Sequence, residues 1–116
     1  MTNELKIQVG GSVREDLAAF TRAWKRAEAG DLSQERILSF ESWEGLASLM
    51  TGERYRLLRH LHAKPEPSIN ALARSLRRQY RRVHDDVAAL ERAGLIERAD
   101  GVVRTTADRL SAVVTL

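Results

Sequence analysis

Four arginines occupy the short stretch between positions 77 and 82 of this chain: Arg77, Arg78, Arg81 and Arg82. A guanidinium stays charged at any physiological pH and presents its N–H donors in a planar fork. It can therefore clamp phosphate oxygens, or take guanine O6 and N7 with two parallel hydrogen bonds. Tyr80 lies within that stretch, and His84 and Asp85 follow it closely. On a helix running from about Tyr80 to Ala93, Val83, Val87 and Leu90 form the buried stripe. Tyr80, Arg81, Arg82, His84 and Asp85 then lie opposite or beside that stripe. They are the candidates for contacts to base edges, with Arg81 and Arg82 as the readers. The competing reading makes all of them phosphate anchors that carry no sequence information. Asp85 and Asp86 follow Arg81 and Arg82 at i,i+4 spacing and can hold those guanidiniums in place. Asp85 accepting from cytosine N4 is a further alternative. Ser68, Arg74, Arg77, Arg78 and Gln79 are candidates for the phosphate backbone, although Ser68 is equally satisfied as a plain helix cap.

The elements that must position these groups follow from capping and periodicity. Ser68 precedes Ile69, Leu72, Ala73 and Leu76, one apolar face of a helix. A break at Arg77 to Gln79 contains neither Gly nor Pro, and Gln79 is a poor N-cap for the helix that follows. Gly94 ends that helix. Leu95 to Arg98 and Val102 to Thr105 read as two short strands around Asp100-Gly101, a favoured hairpin dipeptide. Arg98 and Arg104 flank that turn. They suit a narrow minor groove or the DNA backbone, and an exposed strand charge is the plain alternative.

LARSLRRQYRRVHDDVAALERAGLIER resembles the DNA-reading unit of MarR/ArsR-type winged helix-turn-helix transcriptional regulators. Together with FESWEGLASLMTGERYRLLRHL, it is more similar to a group of small winged-helix DNA-binding proteins of archaea and bacteria. The resemblance covers roughly Phe40 to Thr106. One departure is the Arg-Arg-Gln turn, where many such proteins carry Gly followed by a small capping residue.

Upstream, Leu5, Ile7 and Val9 alternate with Lys6 and Gln8 as a half-buried strand closed by Gly10-Gly11. Ser12 to Glu15 is a capping-box sequence. Val13, Leu17, Phe20, Trp24 and Ala27 then step by four and three along one helical face, up to Gly30. Ile37 to Phe40 reads as a second strand. A lone strand–helix–strand unit cannot cover that stripe, so those five residues are the expected dimer interface, and pairing with a second copy would complete a four-stranded sheet. Ser42 caps a short helix through Met50. Thr51 caps the next, whose Leu57, Leu58 and Leu61 face the core. Pro65 and Pro67 stop it. Residues 107–116 fit a strand or a helical turn equally well.

At 116 residues with 43% hydrophobic and 30% charged residues, the chain suits one globular domain with a small appendage. The net charge of +3 hides an asymmetry. Residues 54–84 hold nine Lys/Arg against one carboxylate, whereas residues 1–53 hold six against nine and residues 85–116 four against six. A basic block between acidic flanks favours a polyanion docking on one face over a merely solvated helix. The lack of cysteine fits a reducing cytoplasm. The N-terminus lacks a basic leader, and no apolar run approaches membrane-spanning length, which points away from secretion and from membranes.

Catalytic patterns are missing. His60 and His62, two apart, point about 200° apart on a helix and cannot share a metal. No glycine-rich phosphate loop, nucleophile elbow or paired carboxylates occur, so neither an enzyme nor a metal or other cofactor is expected. The expected fold is α+β and mainly helical: a winged helix-turn-helix over residues 42–106, an N-terminal strand–helix–strand extension over 1–41 and a tail over 107–116. The expected function is sequence-specific binding of double-stranded DNA by a homodimeric transcriptional regulator on a palindromic operator. The alternative is an antitoxin-like module that grips a toxin protein and autoregulates its own operon.

Overall fold

A computed structural model describes residues 3–11, 21–22, 24–25, 28–30 and 36–116. These residues form two compact units. One comprises Glu4–Leu46 with Arg109–Leu116; the other comprises Ala47–Asp108 with Met1–Asn3.

The first unit is built on a three-stranded parallel sheet in the order β2-β1-β5, with β1 at Glu4–Val9, β2 at Arg36–Phe40 and β5 at Arg109–Val114. The alternation in β1 sets its faces. Leu5, Ile7 and Val9 are 4% exposed or less, while Lys6 is exposed. Burying each such side chain contributes roughly 1.5–3 kcal/mol relative to leaving it in water. Register aligns Leu5, Ile7 and Val9 with Leu110, Ala112 and Val114 on one side, and with Arg36, Leu38 and Phe40 on the other. Gly10 closes β1 at φ 74°, and a Cβ there would lie 2.8 Å from the Thr115 carbonyl oxygen, so only glycine fits without displacing backbone. Helix α1, Trp43–Leu49, begins in this unit and buries Leu46.

The second unit contains helices α2 (Gly52–Ala63), α3 (Ile69–Leu76) and α4 (Tyr80–Arg92), followed by an antiparallel hairpin of β3 (Ile96–Ala99) and β4 (Val102–Thr105). Apolar residues three and four apart give each helix a buried face: Leu57, Leu58 and Leu61 on α2, Ile69, Leu72 and Ala73 on α3, Val83, Val87 and Leu90 on α4. Leu95, Ile96 and Val103 complete this core from the hairpin. Thr51 Oγ1 accepts from the Arg54 amide and Ser68 Oγ from the Ala71 amide, so α2 and α3 are capped. Gln79 makes no side-chain cap for α4. The hairpin turns through Asp100 and Gly101, both at positive φ (53° and 83°), which matches the twist of the two strands. The Pro65-Glu66-Pro67 connection joins the hairpin as an isolated antiparallel bridge. The Glu66 amide donates to the Val103 carbonyl at 3.1 Å and the Val103 amide to the Glu66 carbonyl at 2.8 Å.

This architecture corrects the fold expected from sequence. The described residues carry four helices and five strands in two sheets, a small α+β fold rather than a winged helix-turn-helix bearing a strand–helix–strand extension. The N-terminal strands do not form a unit of their own, because β5 from the C-terminal end lies parallel to β1 along its other edge. The physical reason is hydrogen bonding. A six-residue strand with an open edge leaves amides and carbonyls unpaired, and the segment after Thr106 satisfies them within the same chain. The third strand is thus supplied by this chain, not by a second copy. Of the stripe expected to form the dimer face, Val13, Leu17, Phe20 and Ala27 lie outside the described residues. Trp24 is 60% exposed, and its indole Nε1 donates to Glu28 Oε1 at 2.7 Å. No helix among the described residues is long and apolar enough to cross a membrane.

Candidate nucleic-acid interface

The nine basic residues of the 54–84 block divide into two groups once their partners are known. One group has partners within the fold, with Arg54 and Arg78 shielded and Arg56, Arg59 and Lys64 exposed. Arg54 Nε and Arg78 Nη2 share the Asp86 carboxylate at 3.0 and 2.8 Å, with the three side chains 14–20% exposed. Arg78 Nε also reaches Glu53 at 3.3 Å, and Arg54 Nη1 donates to the Ser48 and Leu49 carbonyls at the end of α1. Asp86 thereby ties α4 to α2 and to the turn before α4. Arg56 pairs with Glu53 at 2.6 Å, Lys64 stands 3.9 Å from Glu66, and Arg59 lies over the Tyr55 ring.

The other group is Arg74, Arg77, Arg81 and Arg82, all exposed and placed along the end of α3, the turn and the first turn of α4. Arg81 has only a 3.8 Å approach to Asp85, with its side chain 88% exposed. Arg74, Arg77 and Arg82 have no ion-pair partner among the described residues. Two cations in the first turn of α4 oppose the helix dipole, each by about 0.3–1 kcal/mol, and no side chain caps that end. Tyr80 and His84 stand one turn apart with ring centroids 5.9 Å apart, and His84 Nδ1 lies 3.5 Å from Asp85. Tyr80, Arg81, Arg82, His84 and Asp85 therefore share the solvent side of α4, while Val83, Val87 and Leu90 are fully buried.

Arg78 was expected beside Arg74 and Arg77 as a phosphate contact; its guanidinium is instead mostly buried and held by two carboxylates. Asp86 holds Arg54 and Arg78, not Arg82. Gln79 and Ser68 flank α3 and α4 as expected for their sequence positions, with the Ser68 hydroxyl engaged as a cap. Both hairpin arginines are committed within the fold. Arg98 makes a two-pronged pair with Glu91 at 3.0 and 2.9 Å, and Arg104 pairs with Glu97, its cross-strand partner, at 2.6 Å. The Glu91 carboxyl is held below the ordinary carboxylate range by the hydrogen bonds from Arg98. With Asp100 at the tip, the hairpin offers an approaching phosphate little net positive charge.

Glu66 is the group that sequence reasoning missed. Its side chain is 3% exposed, and Oε1 is shared by His60 Nε2 at 2.9 Å and the Ser75 hydroxyl at 3.2 Å. The His60 contact holds its carboxyl below the usual range against the opposing effect of burial, with Ser75 and Lys64 adding to the shift. A signal was present: Glu66 is the one carboxylate in a block of nine cations, and it sits between two prolines. Among the described residues no group of three or more His, Cys, Asp or Glu could hold a metal ion.

No curated protein and no solved structure matches the chain. Residues 49–112, which run from the end of α1 into β5 and make up more than half of the chain, match the family described as HVO_A0114, and the chain belongs to that family.

Proposed function

We propose that this protein is a transcriptional regulator that binds double-stranded DNA with the exposed side of α4 and the turn before it, as a homodimer. The observation that carries the reading is the group Arg74, Arg77, Arg81 and Arg82. These guanidiniums are exposed and, among the described residues, have no closer carboxylate than the 3.8 Å approach of Asp85 to Arg81. The same stretch breaks two local rules of helix construction, since α4 starts uncapped and with cations in its first turn. An external polyanion relieves both, by supplying acceptors to the free amides and negative charge to the helix end. A helix of thirteen residues whose apolar side is fully buried offers a rigid polar side of the length a major groove admits.

The test is a fluorescence-anisotropy titration of labelled duplex DNA over a range of salt concentrations. On a mixed-sequence duplex, where all four arginines of each chain can meet phosphates rather than bases, a dimer neutralises roughly eight phosphates, so log K should fall against log salt with a slope of about −7. A slope near half that value marks a monomer. No binding at low salt removes DNA from the account. Selection of bound sites from random duplexes then measures sequence preference and half-site spacing together.

A further inference from the structure

Two helices of the second unit end in the same hydrogen-bonded motif but with different residues at its strained position. At the end of α4, the Gly94 amide donates to the Glu91 carbonyl at 3.0 Å and the Leu95 amide to the Leu90 carbonyl at 2.9 Å, with Gly94 at φ 85°. This is the arrangement that requires a left-handed residue just past the helix, and glycine is the residue that adopts it most cheaply. At the end of α3, the Arg77 amide donates to the Arg74 carbonyl at 3.2 Å and the Arg78 amide to the Ala73 carbonyl at 3.0 Å. The left-handed position is here Arg77, at φ 55° and ψ 45°. A side chain with a Cβ is disfavoured in that conformation, and arginine has no short polar group with which to stabilise it locally. The second non-glycine residue at positive φ, Asp100, belongs to a type that tolerates the conformation.

We infer that Arg77 holds a DNA phosphate, and that the fold tolerates a strained turn so as to place a cation there. The inference rests on the DNA reading proposed above and deepens it. Two further observations support it. The Arg77 side chain is exposed and makes no ion pair among the described residues, whereas the adjacent Arg78 is drawn into the Asp86 and Glu53 network and cannot serve. The left-handed turn also separates two neighbours in the chain: Arg78 is drawn inward to Asp86, while Arg77 stays exposed. A glycine at position 77 would keep the turn and remove the charge.

The experiment compares the full chain with Arg77→Gly and Arg77→Lys, by thermal unfolding and by binding to a labelled mixed-sequence duplex, since a phosphate contact does not depend on sequence. Arg77→Gly should melt about 2–5 °C higher and bind more weakly, with the salt slope flattened by about 0.9 per chain. Arg77→Lys should restore most of the affinity and the slope without the gain in melting temperature. Arg77→Gly with unchanged affinity and slope overturns the phosphate contact while leaving the DNA reading intact. Arg77→Gly with no rise in melting temperature overturns the strain. A wild-type chain that ignores duplex DNA overturns the reading and this inference together.

Discussion

Arg81 and Arg82 differ from Arg74 in what surrounds them, and the difference separates reading from anchoring. Arg81 and Arg82 lie in the first turn of α4, beside Tyr80, His84 and Asp85, whereas Arg74 lies in the last turn of α3. Arg81→Ala and Arg82→Ala should each cost roughly 1–3 kcal/mol on the preferred site and narrow its advantage over unrelated duplex. Arg74→Ala should weaken every sequence about equally. Competition binding against permuted sites checks this, and equal losses for all three variants would reduce the cluster to an electrostatic anchor. Glu66 makes a prediction of a different kind. Its carboxyl titrates below its unfolded value, so its contribution to stability is fully present above that value and is lost as pH falls through the folded one. Denaturant unfolding should therefore show the wild-type chain losing more stability between about pH 5 and pH 3 than Glu66→Gln does. Parallel losses in the two proteins would mean that the charge on Glu66 adds nothing.

Among the elements, α4 is positioned from both ends by polar contacts as well as by its apolar stripe. Asp86 anchors its first half to Arg54 of α2 and to Arg78, and Glu91 anchors its last turn to Arg98 of the hairpin. The Glu91–Arg98 pair is more than a third exposed on both sides and contributes little to stability. The Asp86 contacts are better shielded, and one Arg78 nitrogen, Nη1, is already buried with no hydrogen-bond partner among the described residues. Asp86→Ala leaves two half-desolvated guanidiniums without their shared acceptor and should lower unfolding free energy by about 2 kcal/mol. Asp86→Asn, which keeps an acceptor oxygen, should cost less. Urea unfolding measures both, and a loss within about 0.5 kcal/mol for Asp86→Ala would place the network among ordinary surface pairs. If α4 is the DNA-reading element, Asp86→Ala should also blur sequence preference, although Asp86 does not itself face the solvent side.

At the scale of the whole molecule, the sheet unit depends on both ends of the chain. β1 has β2 along one edge and β5 along the other, and Arg109 reaches Glu4 across 105 residues of sequence. Deleting residues 109–116 should expose one edge of β1. Hydrogen exchange at the β1 amides should then accelerate by about tenfold or more, while α2, α3, α4 and the hairpin, which share their own core, keep their protection. Persistent protection of β1 in the truncated chain would show that another strand replaces β5. DNA binding in the truncated chain separates the roles of the two units: retained affinity per chain with a halved salt slope would place dimerisation in the sheet unit.

Much of the second unit was legible from short-range patterns. Val83, Val87 and Leu90 mark the buried side of α4, Ser68 and Thr51 mark helix starts, and Asp100-Gly101 marks the hairpin. Periodicity, capping and turn chemistry act within a few residues of each other, so they can be read without knowing the fold. The parallel sheet could not be read that way. Its pairing of β1 with β5 joins distant parts of the chain, and a mostly apolar stretch such as Leu110 to Val114 carries no mark of its partner. Side-chain pairing was equally hidden, because which carboxylate meets which guanidinium depends on how distant elements pack. The sequence alone showed a block of nine cations against one carboxylate. Only the tertiary structure decided that Arg54 and Arg78 are held by Asp86 and that Arg74, Arg77, Arg81 and Arg82 face solvent, since burial and a shared acceptor are properties of the packed chain.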